Sequence, residues 1–136
     1  MPLTLRHVRN PLSWIGALLV LISASGEVRK VPVEVWCVGD DGLTQKLRNA
    51  LENRFEASPD FQLSSGKRPG TLVVTIPSNV PWKQVKGRTR VVYNVDFTSV
   101  DGLKLGRSNG ECWGSDVGKC AEHIVADAKS AARKLR

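Results

Sequence analysis

The three cysteines are the residues of this chain whose possible chemistry is best defined by their spacing. Cys112 and Cys120 are separated by seven residues in GECWGSDVGKC, and Cys37 lies far upstream in VPVEVWCVG. This spacing excludes a C-x-x-C redox motif and lacks the short paired spacings of zinc sites. In an oxidising compartment we expect a disulfide between Cys112 and Cys120. Closing so short a loop stabilises the fold by about 2.5 kcal/mol.

Val33, Val35 and Cys37 are spaced two residues apart along a predicted strand, so their side chains share one face. This position predicts that Cys37 has a small buried thiol. Three cysteines allow three pairings, and the sequence does not choose between them rigorously. Nearness along the chain favours Cys112–Cys120. If Cys37 paired with either of these residues instead, the first strand would be tied to the last strand or to the final helix.

His123 and Asp127 are four residues apart in the final predicted helix, so they share one face. A metal site or an acid–base pair could be built on such a pair. The sequence shows no third ligand and no nucleophile near this pair. We therefore favour an exposed pair that stabilises the helix by about a few tenths of a kcal/mol. The sequence carries no G-x-S-x-G elbow and no G-x-x-x-x-G-K phosphate loop. We therefore predict no catalytic residue, no metal site and no cofactor.

The densest basic stretch is PWKQVKGRTR, residues 81–90. An aromatic side chain among cations suits a phosphate, a lipopolysaccharide headgroup, a glycan or a nucleic acid. A solvated loop with its Trp folded onto the sheet is the simpler interpretation. The candidate binding residues of this stretch are Trp82, Lys83, Lys86, Arg88 and Arg90.

The N-terminus has the pattern of a signal peptide. Arg6 and Arg9 form a basic start, an uncharged and mostly apolar run follows over residues 12–24, and small residues come next. The run is shorter than the about 20 apolar residues that span a bilayer. We expect residues 1–26 to be cleaved and residues 27–136 to form a single domain in the periplasm or outside the cell. The alternative is an uncleaved membrane anchor.

The charge of the predicted mature chain is moderately basic. Without Arg6 and Arg9, 18 of the 20 Lys and Arg residues stay against 13 Asp and Glu, a net charge of +5. This charge suits an acidic partner or surface. Export argues against nucleic acid, so another envelope protein or an acidic envelope component is the expected partner. No membrane span is expected after cleavage, and the oligomeric state is left open.

Hydrophobic periodicity predicts the elements that position these residues. Apolar residues at period two predict strands in KVPVEVWCVG, DFQLSS, TLVVTIP and RTRVVYNVDFTSV, whereas SNVPWKQVKG is expected to be a loop. The turn at Asp101-Gly102 predicts a hairpin into a further strand, LKLGRSNGECW. A four-residue repeat of apolar residues, Leu43, Leu47, Leu51 and Phe55, predicts one helix after Asp40 or Asp41. A four-three-four-three spacing of apolar residues from Val117 to Leu135 predicts another helix from Ser115 or Asp116. The order β-α-β-β-β-β-α predicts an α+β two-layer sandwich, in which two helices cover one face of a mainly antiparallel sheet of four or five strands.

The hairpin register follows from the buried face of the longest strand. A three-residue turn, Val100 to Gly102, sets Phe97 opposite Leu105 and Ser99 opposite Leu103, with Gly102 in the left-handed region. This register is expected to place both leucines in the core.

The segments GDDGLTQKLRNALENRFEASPDFQL, GTLVVTIP, RVVYNVDFTSVDGLKLG and the final helix follow each other in a recognisable order. The order resembles the N-terminal domain of TolB and the related modules of CsgG-like and FlgT-like outer-membrane proteins. The chain departs from that pattern in the cysteine loop and in a reduced segment before the apolar strand. The resemblance implies an envelope binding or assembly module, and it marks no functional residue.

These observations favour a non-enzymatic binding or assembly module of the periplasm. One alternative is a small envelope hydrolase that uses His123. Another is an inhibitor of a secreted hydrolase that presents a loop formed by residues 108–120. Trp36, Val38, Val73 and Val92 are expected to share the open sheet face as an apolar docking patch, and a free sheet edge would offer a second docking site.

Overall fold

The computed structural model describes residues 29–66 and 68–135, so the predicted signal peptide lies outside the described residues. One helix follows the first strand, and a second helix follows the last. The strands are β1 (Val31–Cys37), β2 (Phe61–Leu63), β3 (Leu72–Ile76), β4 (Trp82–Val85), β5 (Arg88–Thr98) and β6 (Lys104–Trp113). The helices are α1 (Gly42–Ala57) and α2 (Val117–Ala132), with 3-10 turns at Gly114–Asp116 and Arg133–Leu135. Within this part of the chain, neither helix has the length and apolar character needed to cross a bilayer.

The six strands form one mixed sheet, which confirms the predicted α+β class. β1 pairs in parallel with β2 and β3, whereas β5 pairs antiparallel with β3, β4 and β6. β3 and β4 follow each other along one edge of β5, and β6 occupies the other edge. The sheet has one strand more than expected, because residues 82–85 form β4 instead of a loop.

Helix α1 begins where its first free backbone N–H groups find an acceptor. The side chain of Asp41 accepts a hydrogen bond from the backbone N–H of Thr44 at 2.8 Å. The predicted apolar stripe is fully buried at Leu47, Leu51 and Phe55. This stripe fixes which face of α1 packs on the sheet and on α2.

The core lies between the two helices and one face of the sheet. The inward residues of β5 are almost fully buried, while Asn94 on the opposite face is exposed. The alternation predicted for this strand is therefore confirmed. The inward residues of β5 are Val91, Tyr93, Val95 and Phe97, and those of α2 include Val117, Ala121, Ile124, Ala128 and Ala131.

The β5–β6 hairpin contains the expected turn and an unexpected bulge. The backbone N–H of Ser99 donates to the carbonyl of Leu103 at 2.9 Å, and Gly102 has a φ of 88°. Beyond the turn the register shifts by one residue, so Phe97 pairs with Gly106. Leu105 is buried, as predicted. The prediction for Leu103 is wrong: its side chain lies beside the turn and is 65% exposed.

Candidate functional site

The basic stretch that was expected to be a loop is a tight β-hairpin. β4 pairs with the first residues of β5, and only Lys86 and Gly87 connect them. Both residues have positive φ, 51° and 77°, as a two-residue type I′ turn requires. Because side chains alternate along a strand, the hairpin distributes its aromatic and basic residues over two faces.

The structure therefore does not bring the five candidate residues together in one patch. Trp82 points to the helix side of the hairpin, where 56% of its surface is exposed, and Arg88 borders the same cleft. Lys83 and Arg90 are cross-strand partners on the other face, and Lys86 occupies the turn. Trp82 and Arg88 are the two candidates that line this cleft, although Arg88 alternates onto the same face as Arg90.

The two arginines of the hairpin contact Trp113, which the sequence did not single out for binding. The guanidinium groups of Arg88 and Arg90 lie 3.8 Å and 4.6 Å from the centre of the Trp113 ring. Arg90 Nε is also 3.1 Å from Glu111 Oε1. Cation–π contacts of this kind contribute about 0.5–1 kcal/mol at exposed sites. These contacts hold the hairpin against the end of β6, so the arginines have a structural role besides any role in binding.

A cleft of about 630 Å³ lies between this hairpin, the start of α1 and the 3-10 turn before α2. This volume falls within the range of small-molecule pockets, about 300–1,000 Å³. The cleft combines apolar side chains with amide, hydroxyl and charged groups. Its lining residues are Asp41, Leu43, Trp82, Gln84, Arg88, Thr89, Gly114 and Ser115.

Hydrogen bonds between the β3–β4 connection and the start of α1 fix two walls of the cleft. Asn79 Oδ1 accepts from the backbone N–H groups of Asp40 and Asp41, at 2.8 Å and 3.1 Å. The backbone N–H of Val80 donates to the hydroxyl of Thr44 at 2.9 Å. Hydrogen bonds from the hydroxyl and the backbone N–H of Thr44 lower the pKa of Asp41 from its ordinary value. Asp41 therefore presents a negative charge at the rim of the cleft at neutral pH.

A disulfide between Cys112 and Cys120 stabilises the wall of the cleft that is formed by the 3-10 turn before α2. Their Cα atoms are 5.6 Å apart, and both side chains are buried. The bond joins the end of β6 to the first turn of α2, across the segment that contains Gly114 and Ser115. Lys46 Nζ donates to the carbonyl of Gly114 at 3.3 Å and links the same segment to α1. Cys37 has a free thiol, which lies 3.2 Å from the carbonyl oxygen of Gly39.

The residues of the alternative functions lie elsewhere. His123 is exposed on α2, and Asp127 accepts a hydrogen bond from the buried hydroxyl of Ser108 at 2.6 Å. Among the described residues, no three His, Cys, Asp or Glu side chains converge as metal ligands would. The expectation of a protruding loop over residues 108–120 is wrong, because these residues form the end of β6, a 3-10 turn and the first turn of α2.

The expected apolar patch on the open sheet face is only partly exposed. Trp36 and Val38 expose 43% and 69% of their surfaces, but Val73 is buried and Val92 is half-buried. The exposed part lies at the end of β1 and in the residue after it. The patch is therefore smaller than the sequence predicted.

No protein-family model matches the chain, and no curated protein matches it. Among solved structures, the fold is similar to that of a minor lipoprotein from Acinetobacter baumannii, with a TM-score of 0.56 and 11% identity over 79% of this chain and 96% of that one. PelC from Paraburkholderia phytofirmans, crystallised as a dodecamer, has a TM-score of 0.45 and 17% identity over 76% of this chain and 85% of that one. The likeness to the lipoprotein shows a shared fold.

Proposed function

We propose that this chain is an exported, non-enzymatic binding or assembly module of the cell envelope, and that it binds its partner in the cleft beside Trp82. The observation that carries the proposal is the exposed indole of Trp82 on a cleft of about 630 Å³. A pocket with apolar walls and a few convergent polar groups is the usual form of a binding site.

The proposed location rests on covalent chemistry and on the N-terminal sequence. Residues 1–26 have the order of a signal peptide, and the disulfide of Cys112 and Cys120 belongs to a protein that meets an oxidising compartment. A fold shared with a lipoprotein is in keeping with a periplasmic or secreted protein. The resemblance to the TolB N-terminal domain is one of pattern and implies an envelope binding or assembly module, which is as specific as the proposal goes.

The lining of the cleft favours a protein segment over a polyanion. Asp41 is negatively charged, and the guanidinium of Arg88 lies 3.8 Å from the Trp113 ring, so the cleft does not concentrate positive charge for a strongly acidic ligand. Trp82 and Leu43 supply apolar surface, while Gln84 can donate and accept hydrogen bonds. A partner segment with an apolar side chain and neighbouring backbone amides satisfies all of these groups.

The surroundings of His123 disfavour the hydrolase alternative. The side chain is exposed, and its expected companion Asp127 is hydrogen-bonded to Ser108. A general base has to lie within reach of a bound substrate. Neither His123 nor Asp127 lines the cleft beside Trp82.

Site-specific cross-linking in the native bacterium tests this proposal. A photoreactive phenylalanine analogue replaces Trp82 in the full chain, and the matched control carries it at Trp36, which is also exposed but lies on β1. We expect a discrete cross-linked product from position 82, absent from position 36, in the fraction released by osmotic shock. The His123→Ala change should leave that product unchanged.

Two results would contradict the proposal. One is a chain that stays in the cytoplasmic fraction. The other is an exported chain in which position 82 gives no product, or gives the same products as position 36.

A further inference from the structure

The outer edge of β6 is the long free edge of this sheet. In the described residues β6 pairs only with β5, and it extends over ten residues. The strands β2 and β4, which also lie at edges, have three and four residues. Folded proteins usually shorten or cover such edges, because unpaired backbone groups recruit other strands.

The hydrogen-bond pattern shows which groups of β6 face outward. The N–H of Val92 donates to the carbonyl of Pro81, on the side of β5 away from β6. Since backbone groups alternate along a strand, the odd-numbered residues of β5 bond to the even-numbered residues of β6. The N–H and C=O groups of Arg107, Asn109 and Glu111 therefore point to the free edge.

Two side chains of opposite charge flank Asn109 at this edge: Arg107 precedes it by two residues, and Glu111 follows it by two residues. Arg107 Nε lies 3.0 Å from Asp96 Oδ1, and Glu111 Oε1 lies 3.1 Å from Arg90 Nε. Both ion pairs lie on the open face of the sheet and link β5 to β6. Each pair thus ends in one exposed charge at the edge, positive at Arg107 and negative at Glu111.

We propose that β6 pairs antiparallel with β6 of a second copy of this chain, about a two-fold axis at Asn109. In this register Arg107 lies directly opposite Glu111 of the second copy, and opposite residues have Cβ atoms about 4.5–5.5 Å apart. Asp96 and Arg107 of one copy then form a row of alternating charge with Glu111 and Arg90 of the other copy. The two-fold axis produces this row twice, once on each side of Asn109. Registers centred on Arg107 or Glu111 place like charges opposite each other instead.

Charged side chains at an edge can also prevent strand pairing, which is the opposite interpretation of Arg107 and Glu111. The other candidate occupant of the edge is an extended segment of another protein. Self-pairing is favoured because the charges are complementary under the two-fold axis, and because the backbone groups of the same three residues face outward. This dimer goes beyond the proposed function and does not depend on the cleft beside Trp82.

Analytical ultracentrifugation of the exported, oxidised protein from about 10 to about 500 µM tests the dimer. We expect the wild type to form dimers reversibly. Arg107→Glu places Glu against Glu across the axis, and Glu111→Arg places Arg against Arg, so each variant should self-associate at least about tenfold more weakly. An equimolar mixture of the two variants restores opposite charges at both positions and should form a heterodimer.

Two further variants separate strand pairing from general charge effects. Asn109→Pro removes an N–H that faces outward, so it should abolish the dimer while β5–β6 pairing persists. Arg68→Glu makes the same charge change as Arg107→Glu in the exposed β2–β3 connection and should leave dimerisation unchanged. Circular dichroism and thermal unfolding check that each variant is folded.

The proposal is overturned by a wild type that stays monomeric throughout this range. It is also overturned by a dimer that survives Asn109→Pro in a folded protein, or by charge variants that do not associate when mixed. If the wild type is monomeric and the Asn109→Pro variant is less soluble than the wild type, Asn109 and the two edge charges prevent β6 from pairing with other strands.

Discussion

The backbone N–H of Val80 donates a hydrogen bond to the hydroxyl of Thr44 at 2.9 Å, and Thr44 is fully buried. This bond joins the start of α1 to the chain just before β4, and so joins two walls of the cleft. It also satisfies a buried N–H that the sheet does not pair. The shape of the cleft therefore depends on a hydrogen bond that crosses from helix to sheet.

The Thr44→Val change tests this relationship. The substitution keeps the volume of the side chain but leaves the buried N–H of Val80 without an acceptor, so we expect a loss of about 1–3 kcal/mol in the free energy of unfolding. Thr44→Ser keeps the hydroxyl and should lose only about 1 kcal/mol, from one buried methyl group. Urea unfolding measures both. Equal losses in the two variants would show that the hydrogen bond is unimportant.

Position 110 has to be a glycine because the side chain of its cross-strand partner, Tyr93, packs against it. A Cβ atom at position 110 would lie 2.6 Å from the Tyr93 hydroxyl and 2.8 Å from two ring carbons. We expect Gly110→Ala to destabilise the protein by about 1–3 kcal/mol through overpacking. Gly42→Ala, at a position with no atom within 4 Å, is the matched control and should cause no such loss. A Gly110→Ala variant as stable as the wild type would contradict this account of the packing.

The disulfide should contribute measurably to stability. Replacing both Cys112 and Cys120 with Ser is expected to lower the free energy of unfolding by about 2.5 kcal/mol, because the unfolded chain regains the entropy of a short loop. Cys37→Ser serves as the control for loss of a half-buried thiol. Thiol titration of the denatured wild type should find one free thiol. Three free thiols would contradict the disulfide and weaken the case for export.

Tyr93 makes stability depend on pH in the alkaline range. Burial raises the pKa of this side chain above its ordinary value of 10.0, the hydrogen bond with Ser108 opposes that shift, and the charge of Asp127 adds to it. Because the folded-state pKa is the higher one, the stabilisation is complete below the ordinary value and is lost as pH rises toward the folded-state pKa. Tyr93→Phe should lack this loss.

Tyr93 is the single tyrosine of the chain, so its ultraviolet absorbance reports the ionisation directly. We expect tyrosinate to form only above the ordinary pKa, together with loss of the folded state. Ionisation at the ordinary pKa in a folded protein would show that the ring is not desolvated.

The local patterns of the sequence predicted the elements that bury an apolar face. Leu47, Leu51 and Phe55 repeat every four residues, and this repeat defines both a helix and the side that it buries. The alternation around Tyr93 defines a strand with one buried face in the same way. Each of these signals needs only neighbours in the chain.

β4 was missed because its residues have no apolar alternation. Trp82, Lys83 and Gln84 are all exposed, so no buried face marks the segment as a strand. The pairing with β5 across the Lys86–Gly87 turn supplies the backbone hydrogen bonds that make it one. The sequence therefore identified the aromatic and basic residues of the hairpin but not their separation onto two faces.

What the sequence determined by itself was the pair of helices, the principal strands and the proximity of Cys112 to Cys120. Only the tertiary structure decided which face of β6 carries the cysteine, through the bulge at Leu105. Without that extra residue Cys112 would lie opposite Arg90 on the open face, away from α2. With it, Cys112 lies opposite Val91 on the core side, and Trp113 takes the place beside Arg90. The physical reason is that side chains alternate with a period of two, so one inserted residue exchanges the faces of everything beyond it.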